Sequence, residues 1–301
     1  MNNIISSESF ELPDWGSYYK PAVPRLETDA ALRVVLFGSA GAGMLTLEGL
    51  KKLKHRYGIE KIQLVGLATD DVRTDHARIS LKKRIWRHFP PEMRVKMAEG
   101  IIQRAIDESM EVFTGNIKSA FFAKLLDEWK PDVIVMSCFG QIIPESVFTY
   151  PPLGMYNIHP SDLKNEIGIG AKPLEDTIAL KMSHTCVSVH KVTETVDYGW
   201  IVGQSPPICI VDENGEYLND ILFIEERVTS VFPYMTEALV RHILLMKNEW
   251  EAGKSTVDLT AEIHTVVQKK LLESLTGVHG RHYPFPDPKL FDLFHPIPQQ
   301  A

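Results

Sequence analysis

The sequence predicts an α/β protein, a doubly wound, Rossmann-like, mostly parallel sheet with a helical C-terminal extension. Three observations lead there. RVVLFG, from Arg33, is a short apolar run ending in glycine, as in a strand buried on both faces. MLTLEGLKKLKHRYG then has helical spacing, with Leu45, Leu47, Leu50 and Leu53 inside and lysines outside. KIQLVGLATDD is a second apolar run, and strand, glycine turn, helix, strand makes one βαβ unit.

The other elements follow in order. Residues 1–30 carry scattered prolines and aromatics without clear periodicity and read as an extension over the surface. DDVRTDHARISLKKRIWRHFPPEMRVKM is basic and broken by Pro90 and Pro91, so it reads as an insertion between core elements. The core resumes with helix-like MAEGIIQRAIDESM, a short strand around Val112 and helix-like IKSAFFAKLLDEW. DVIVMSCFG from Asp132 and MYNIH from Met155 are two further strands. LEDTIALKM reads as a helix, and CVSVHKV and WIVGQ as strands joined by TETVDYG. A long helical stretch over 219–247 has its break or kink at Pro233, and LTAEIHTVVQKKLLESL suits another helix. HYPFPDPKLFDLFHPIPQQ is too rich in proline for a helix. The expected division is an extension over 1–30, a main domain over 31–250, and a helical, proline-rich extension over 251–301.

Composition narrows the function. The chain has 301 residues, 44% hydrophobic and 24% charged, enough apolar material for a sizeable core. Its formal net charge of −7 argues against a broad nucleic-acid-binding surface. Cys138, Cys186 and Cys209 are far apart and form no CxxC pair, so neither a disulfide scaffold nor a cysteine metal site is expected. No basic and apolar leader opens the chain, and no run nears the roughly 18 apolar residues of a membrane span. The expectation is a soluble, cytoplasmic protein without metal, nucleic-acid or membrane partner.

GMYNIHPSDL holds the most informative residues. Asn157 and His159 stand two apart in a strand, so both side chains leave the same face. Pro160 lacks an amide hydrogen and biases His159 toward extended geometry, so the strand ends there. An imidazole and an amide at the carboxyl end of a strand can donate hydrogen bonds to an oxyanion, as acyl transfer requires. Taken alone, Asn-x-His fits equally a structural asparagine and a hydrogen-bonded core histidine. Asp197, in TETVDYG, fits ordinary turn chemistry, with Gly199 allowing a tight turn. Paired with the histidine it would instead orient the ring and help shuttle a proton.

The order of these pieces narrows the choice. PDVIVMSCFGQIIP, then GMYNIHPSDL, then CVSVHKVTETVDYGWIVGQ resembles the formyltransferase family that includes glycinamide ribonucleotide and methionyl-tRNA formyltransferases. The resemblance runs from about Arg33 to Lys247 and is strongest between Asp132 and Gln204. It implies 10-formyltetrahydrofolate as formyl donor, with no metal, and an amine as acceptor. It also implies that Asn157 and His159 stabilise the tetrahedral intermediate and that Asp197 pairs with the histidine and assists proton transfer. Phe139, Gly140, Gln141, Ile142 and Ile143 match the loop lining the folate pocket. Ser161 matches the serine that supports the site, and Gly199 and Gln204 match the loop and strand after the aspartate.

Two segments depart from the family pattern. After HPS the family continues Leu-Leu-Pro, whereas this chain reads SDLKNEIGIGAKP, with Asp162, Lys164 and Glu166 in a loop that flanks the acceptor in the family. GSAGAG keeps Ser39 and Gly41 but has alanines where glycinamide ribonucleotide formyltransferases bind the acceptor phosphate. Backbone amides at the helix start can still hold an anion, or the segment is simply a tight turn. The altered loop disfavours glycinamide ribonucleotide. Nucleotide-linked amino sugars and hydroxyornithine of siderophore assembly stay open, and the charged loop suits the zwitterionic hydroxyornithine better.

Other functions fit parts of the sequence. A nicotinamide-dependent oxidoreductase would use GSAGAG with Asp70 or Asp71, but leaves NIHPS and VDYG without a purpose. A formyltetrahydrofolate hydrolase would replace the amine by water, and a methionyl-tRNA formyltransferase would need a nucleic-acid-binding domain. The basic run Arg73, Arg78, Lys82, Lys83, Arg84 and Arg87 fits a solvated helix face or a contact to an anionic substrate, and HGRH at 279–282 a surface loop.

Overall fold

Two strands absent from the sequence reading open the chain, β1 (Ser7–Leu12) and β2 (Gly16–Pro21). The segment expected to lie as an irregular extension instead pairs antiparallel with itself and with the sheet edge. The structure, a computed structural model, describes residues 7–12, 16–28, 30–70, 90–212, 214–218, 221–245, 258–265 and 267. The basic run at 73–87, the HGRH stretch and the proline-rich tail lie outside these residues.

The expected βαβ unit is β3 (Leu32–Gly38), α1 (Ala40–Tyr57) and β4 (Ile62–Thr69). Helix α2 (Pro91–Asp107) begins earlier than its apolar periodicity suggested, because Pro91 suits a first helical turn that needs no amide hydrogen there. It leads to β5 (Glu111–Gly115), α3 (Ala120–Trp129) and β6 (Val133–Ser137). A short α4 (Glu145–Phe148) precedes β7 (Met155–His159), and α5 (Pro173–Ala179) follows it. Next come β8 (His184–Thr185), β9 (Ser188–Lys191), β10 (Ile201–Gln204) and β11 (Ile208–Cys209). Helices α6 (Ile221–Thr229) and α7 (Phe232–Leu245) divide the expected helical stretch, with the break just ahead of Pro233. Pro233 kinks neither, since it sits in the first turn of α7. Residues 260–265 are helical, as expected for the start of LTAEIHTVVQ.

Among the described residues nine strands join in the order β1-β2-β5-β4-β3-β6-β7-β9-β10, while β8 and β11 pair separately. The five from β5 to β7 are mutually parallel. From β3 the chain steps one way to β4 and β5, then returns to β6 on the other side and continues to β7. Such a reversal leaves a crevice outside the carboxyl ends of the strands on either side of it, here β3 and β6. Strand β3 shows why the sheet is covered on both faces. Leu32, Val34 and Leu36 enter the core shared with α1, α2 and α7, and Val35 and Phe37 enter the core shared with α3. Helices α1 and α7 pack closely at Gly49, where a Cβ would come within 2.7 Å of the Pro233 carbonyl oxygen.

Candidate active site

Strand β7 delivers Asn157 and His159 to the carboxyl edge of the sheet, and β9 runs antiparallel beside it. The register sets Asn157 opposite His190 and His159 opposite Ser188. Asp197 arrives from the loop between β9 and β10 with φ +57°, a left-handed conformation that aspartate tolerates better than most side chains. Gly199 serves this loop differently from the turn freedom expected of it. A Cβ there would lie 1.6 Å from the Lys191 carbonyl oxygen, so only glycine lets the loop return against β9.

The three expected side chains meet. The Asn157 amide donates to Asp197 Oδ1 at 3.3 Å and lies 3.1 Å from His190 Nε2. Asp197 Oδ1 is 3.4 Å from His190 Nε2, and Oδ2 is 3.8 Å from His159 Nδ1. The Gly170 amide donates to Asp197 Oδ2 at 2.8 Å. His159 Nε2 lies 2.8 Å from the Gly168 carbonyl, which also accepts from Ser161 Oγ at 3.1 Å. Since a carbonyl only accepts, His159 carries its hydrogen on Nε2 in this arrangement. The cluster therefore satisfies its own polar groups.

Electrostatics sharpen the roles available. Burial pushes the Asp197 carboxyl up. The hydrogen bond from His190, the charges of His159 and His190 and the Gly170 amide outweigh it, and hold the group at about 2. Burial lowers the pKa of His159 below its ordinary value, against the pull of Asp197 and the Gly168 carbonyl and with a smaller push from His190. An ionised carboxylate thus faces an imidazole that is neutral near pH 7, able to give or take one proton.

The cluster forms one end of a cleft of about 200 Å³ at the crevice predicted by the strand order. Phe139, Ile142, Ile143 and Val192 give it an apolar wall, with Ile142 46% and Val196 47% exposed at its rim. Across from them stand Leu174 and Glu175 of α5 and Glu225, Thr229 and Phe232 of α6 and α7. Gln141 lines the cleft but turns its amide into the fold, donating to Asp70 and to the Gly115 carbonyl and accepting from the Ile117 amide. Asp70, fully buried, also accepts from the Gly140 amide and from Ser39 Oγ. The loop 139–143 is thereby fastened to the ends of β3 and β4.

The remaining expected residues stand behind the cleft, outside its lining. Ser39 is wholly buried against Asp70, and Gly41 is buried in the first turn of α1. Gln204 donates to Asp162 at 2.7 Å and Ser188 Oγ at 3.2 Å, bracing β9 against the loop after β7. The charges of that loop also point elsewhere. Asp162 accepts from Gln204 and Asn165, and Lys164 reaches Thr260. They therefore give no direct support to a zwitterionic acceptor. Glu166 is absent from the lining as well. His190 was missed as a site residue. Its signal was a polar residue at the alternating position of an apolar strand, on the same face as Asn157.

Residues 92–231 of the chain match the formyl transferase family. Over 106 residues it is 37% identical to a methionyl-tRNA formyltransferase of Syntrophus aciditrophicus (strain SB), covering 35% of this chain and 33% of that protein. A second, from Wolbachia pipientis subsp. Culex pipiens, is 30% identical over 135 residues, 44% of each chain. The chain thus spans under half the length of these curated relatives. In fold it is similar to phosphoribosylglycinamide formyltransferase from Bacillus halodurans, with a TM-score of 0.53 and 18% identity over 72% of this chain and 98% of that one. Glycinamide ribonucleotide transformylase 1 from Geobacillus kaustophilus gives 0.51 and 20%, over 71% and 99%.

Proposed function

We propose that this protein transfers a formyl group from 10-formyltetrahydrofolate to the amine of a small molecule. The observation that carries the reading is the convergence of Asn157, His159 and Asp197 at one end of a cleft with an apolar wall. Phe139, Ile142, Ile143 and Val192 would hold the flat ring system of the donor, and the fastened loop 139–143 keeps that wall in place. The bound donor supplies the formyl carbon.

Asn157 and His159 meet the charge that develops on the formyl oxygen, giving up their hydrogen bonds within the cluster to do so. Asp197 stabilises positive charge on the imidazole as a proton passes from the attacking amine, and His159 returns a proton to the leaving nitrogen. The walls align amine and carbonyl, which removes part of the entropic barrier. His190 touches Asp197 and Asn157 and acts as a positioning residue.

A hydroxylated ornithine, as used in siderophore assembly, is the acceptor we carry forward, in a reducing cytoplasmic setting. The methionyl-tRNA reading is kept because the two curated relatives described above bear that name. The nicotinamide reading loses ground at Asp70, which is committed to Ser39, Gly140 and Gln141, while Asp71 lies outside the described residues.

The test is incubation of the purified chain with 10-formyltetrahydrofolate and a panel of amines, methionyl-tRNA included, with products read by mass. A formylated small-molecule amine is the expected result. Release of formate alone, formylation of tRNA alone, or binding of nicotinamide cofactors without donor binding would overturn the assignment.

A further inference from the structure

We infer that Gln204 and Asp162 are a positioning pair for His159, holding the loop that decides which ring nitrogen carries the hydrogen; the inference rests on the proposed formyl transfer. A row of side chains runs across three strands. His159 of β7 stands opposite Ser188 of β9, and Ser188 opposite Gln204 of β10, so all three leave the same face of the sheet. Ser188 is fully buried and its hydroxyl is saturated. It donates to the Ser161 carbonyl at 2.7 Å and accepts from the Leu163 and Gln204 amides, each at 3.2 Å. The Gln204 amide also donates to Asp162 Oδ1 at 2.7 Å. Asp162 in turn shapes the chain that follows, its carbonyl accepting from the Asn165 and Ile167 amides. Gln204 is thus tied to the segment from which the loop reaches Gly168. Strand β10 is itself backed by residues 258–267: the Leu259 amide donates to the Val202 carbonyl at 2.6 Å, and a Cβ at Gly203 would lie 2.5 Å from Ile263.

What the loop sets is the tautomer. A neutral imidazole has one N–H, and two acceptors compete for it: the Gly168 carbonyl 2.8 Å from Nε2, and the Asp197 carboxylate 3.8 Å from Nδ1. A carboxylate is the stronger acceptor at equal distance. The carbonyl wins because the loop brings it closer. Gly168 is packed so tightly that a Cβ would lie 2.7 Å from the Pro173 carbonyl oxygen and 2.8 Å from the Ser161 Cβ. The Nε2 hydrogen is the donor that the proposed mechanism offers to the formyl oxygen. Once the loop relaxes, Nε2 loses its acceptor and Asp197 draws the hydrogen to Nδ1. A lone pair then stands where the reaction needs a donor.

Nitrogen NMR of the full chain carrying isotope-labelled histidine reads the tautomer without substrate near neutral pH, with the His159 signals assigned by their loss in His159→Ala. The parent should show the hydrogen on Nε2. Gln204→Glu sets two carboxylates against each other. It should move the hydrogen to Nδ1 and lower kcat about tenfold or more, with donor Kd, from calorimetric titration with 10-formyltetrahydrofolate, changed less than about twofold. Asp162→Asn completes a double-mutant cycle. In the double variant amide and carboxylate have exchanged places, so the Nε2 hydrogen and most of kcat should return. Should Gln204→Glu not fold, Asp162→Ala breaks the same hydrogen bond from the loop side and should give the same shift. A hydrogen that stays on Nε2, an unchanged kcat, or a loss that the double variant does not repair would each overturn the inference. Absence of donor binding by the parent would instead remove the formyl-transfer reading beneath it, while the tautomer response would still report on the pair.

Discussion

Asp197→Asn removes one negative charge while keeping the size of the side chain and a left-handed backbone that asparagine also tolerates. The carboxyl is held at about 2 against an ordinary 3.8, so the ionised form stabilises the folded chain by about 2 kcal/mol. Because the folded value is depressed, this contribution is complete above the unfolded value. It is lost as pH falls from about 4 toward 2. The variant should therefore unfold at lower urea concentration at pH 7, by an amount equal to about 2 kcal/mol, and the gap should close across that acid range. Turnover should fall by about 100-fold or more, the loss typical when a group serving proton transfer is removed. Urea midpoints followed by tryptophan fluorescence at pH 7 and pH 3, beside rates of formyl-product formation, supply both readings. Equal midpoints at pH 7, or turnover within about threefold of the parent, would refute the claim that a buried carboxylate is sustained by Asn157, His159 and His190 for this chemistry.

His159→Ala should fold and lose about 10² to 10³ in kcat, and near-normal turnover would reject its role. Because burial lowers its pKa, the acid limb of the pH-rate profile should lie below 6.5 in the parent and be missing from residual activity in the variant. Gly199→Ala forces a Cβ toward the Lys191 carbonyl and should cost about 1–3 kcal/mol on thermal or urea unfolding. Unaltered stability would show that the Asp197 loop yields freely. Asp70→Asn should loosen the loop 139–143, weakening donor binding in a calorimetric titration more than it lowers kcat. An unchanged donor Kd would show that Asp70 does not brace the apolar wall.

The parts that could be read in advance are those where one periodicity dominates. Strand β3 declares itself through a continuous apolar run and helix α1 through apolar residues three to four apart, and both are buried where that pattern puts them. Strands β1 and β2 do not, because an edge ribbon needs little apolar sequence. In β2 the large side chain that enters the core is Tyr18. Within the site, Asn157 and His159 were legible as a pair because two residues of one strand share a face by construction. Their meeting with Asp197 depends on a loop closing over many residues, which spacing does not encode. The sequence order resembling the formyltransferases supplied that step. His190 escaped because a histidine in a buried strand has no local mark separating core from site. The alignment of Asn157 with His190 across β7 and β9 appears only once register is known.

That alignment ties the chemistry to a count of residues. Pleated side chains swap faces at each step, so sliding β9 by one position would aim His190 away from Asn157 and bring Val189 or Lys191 opposite it instead. A single inserted residue inside either strand would disable the centre while leaving composition and apolar content nearly unaltered. Within the connection from 160 to 187, only the exposed turn at 179–184 can change length without that penalty, because Gly168 and Gly170 hold His159 and Asp197. The geometry of this centre is therefore written in the phase of two neighbouring strands.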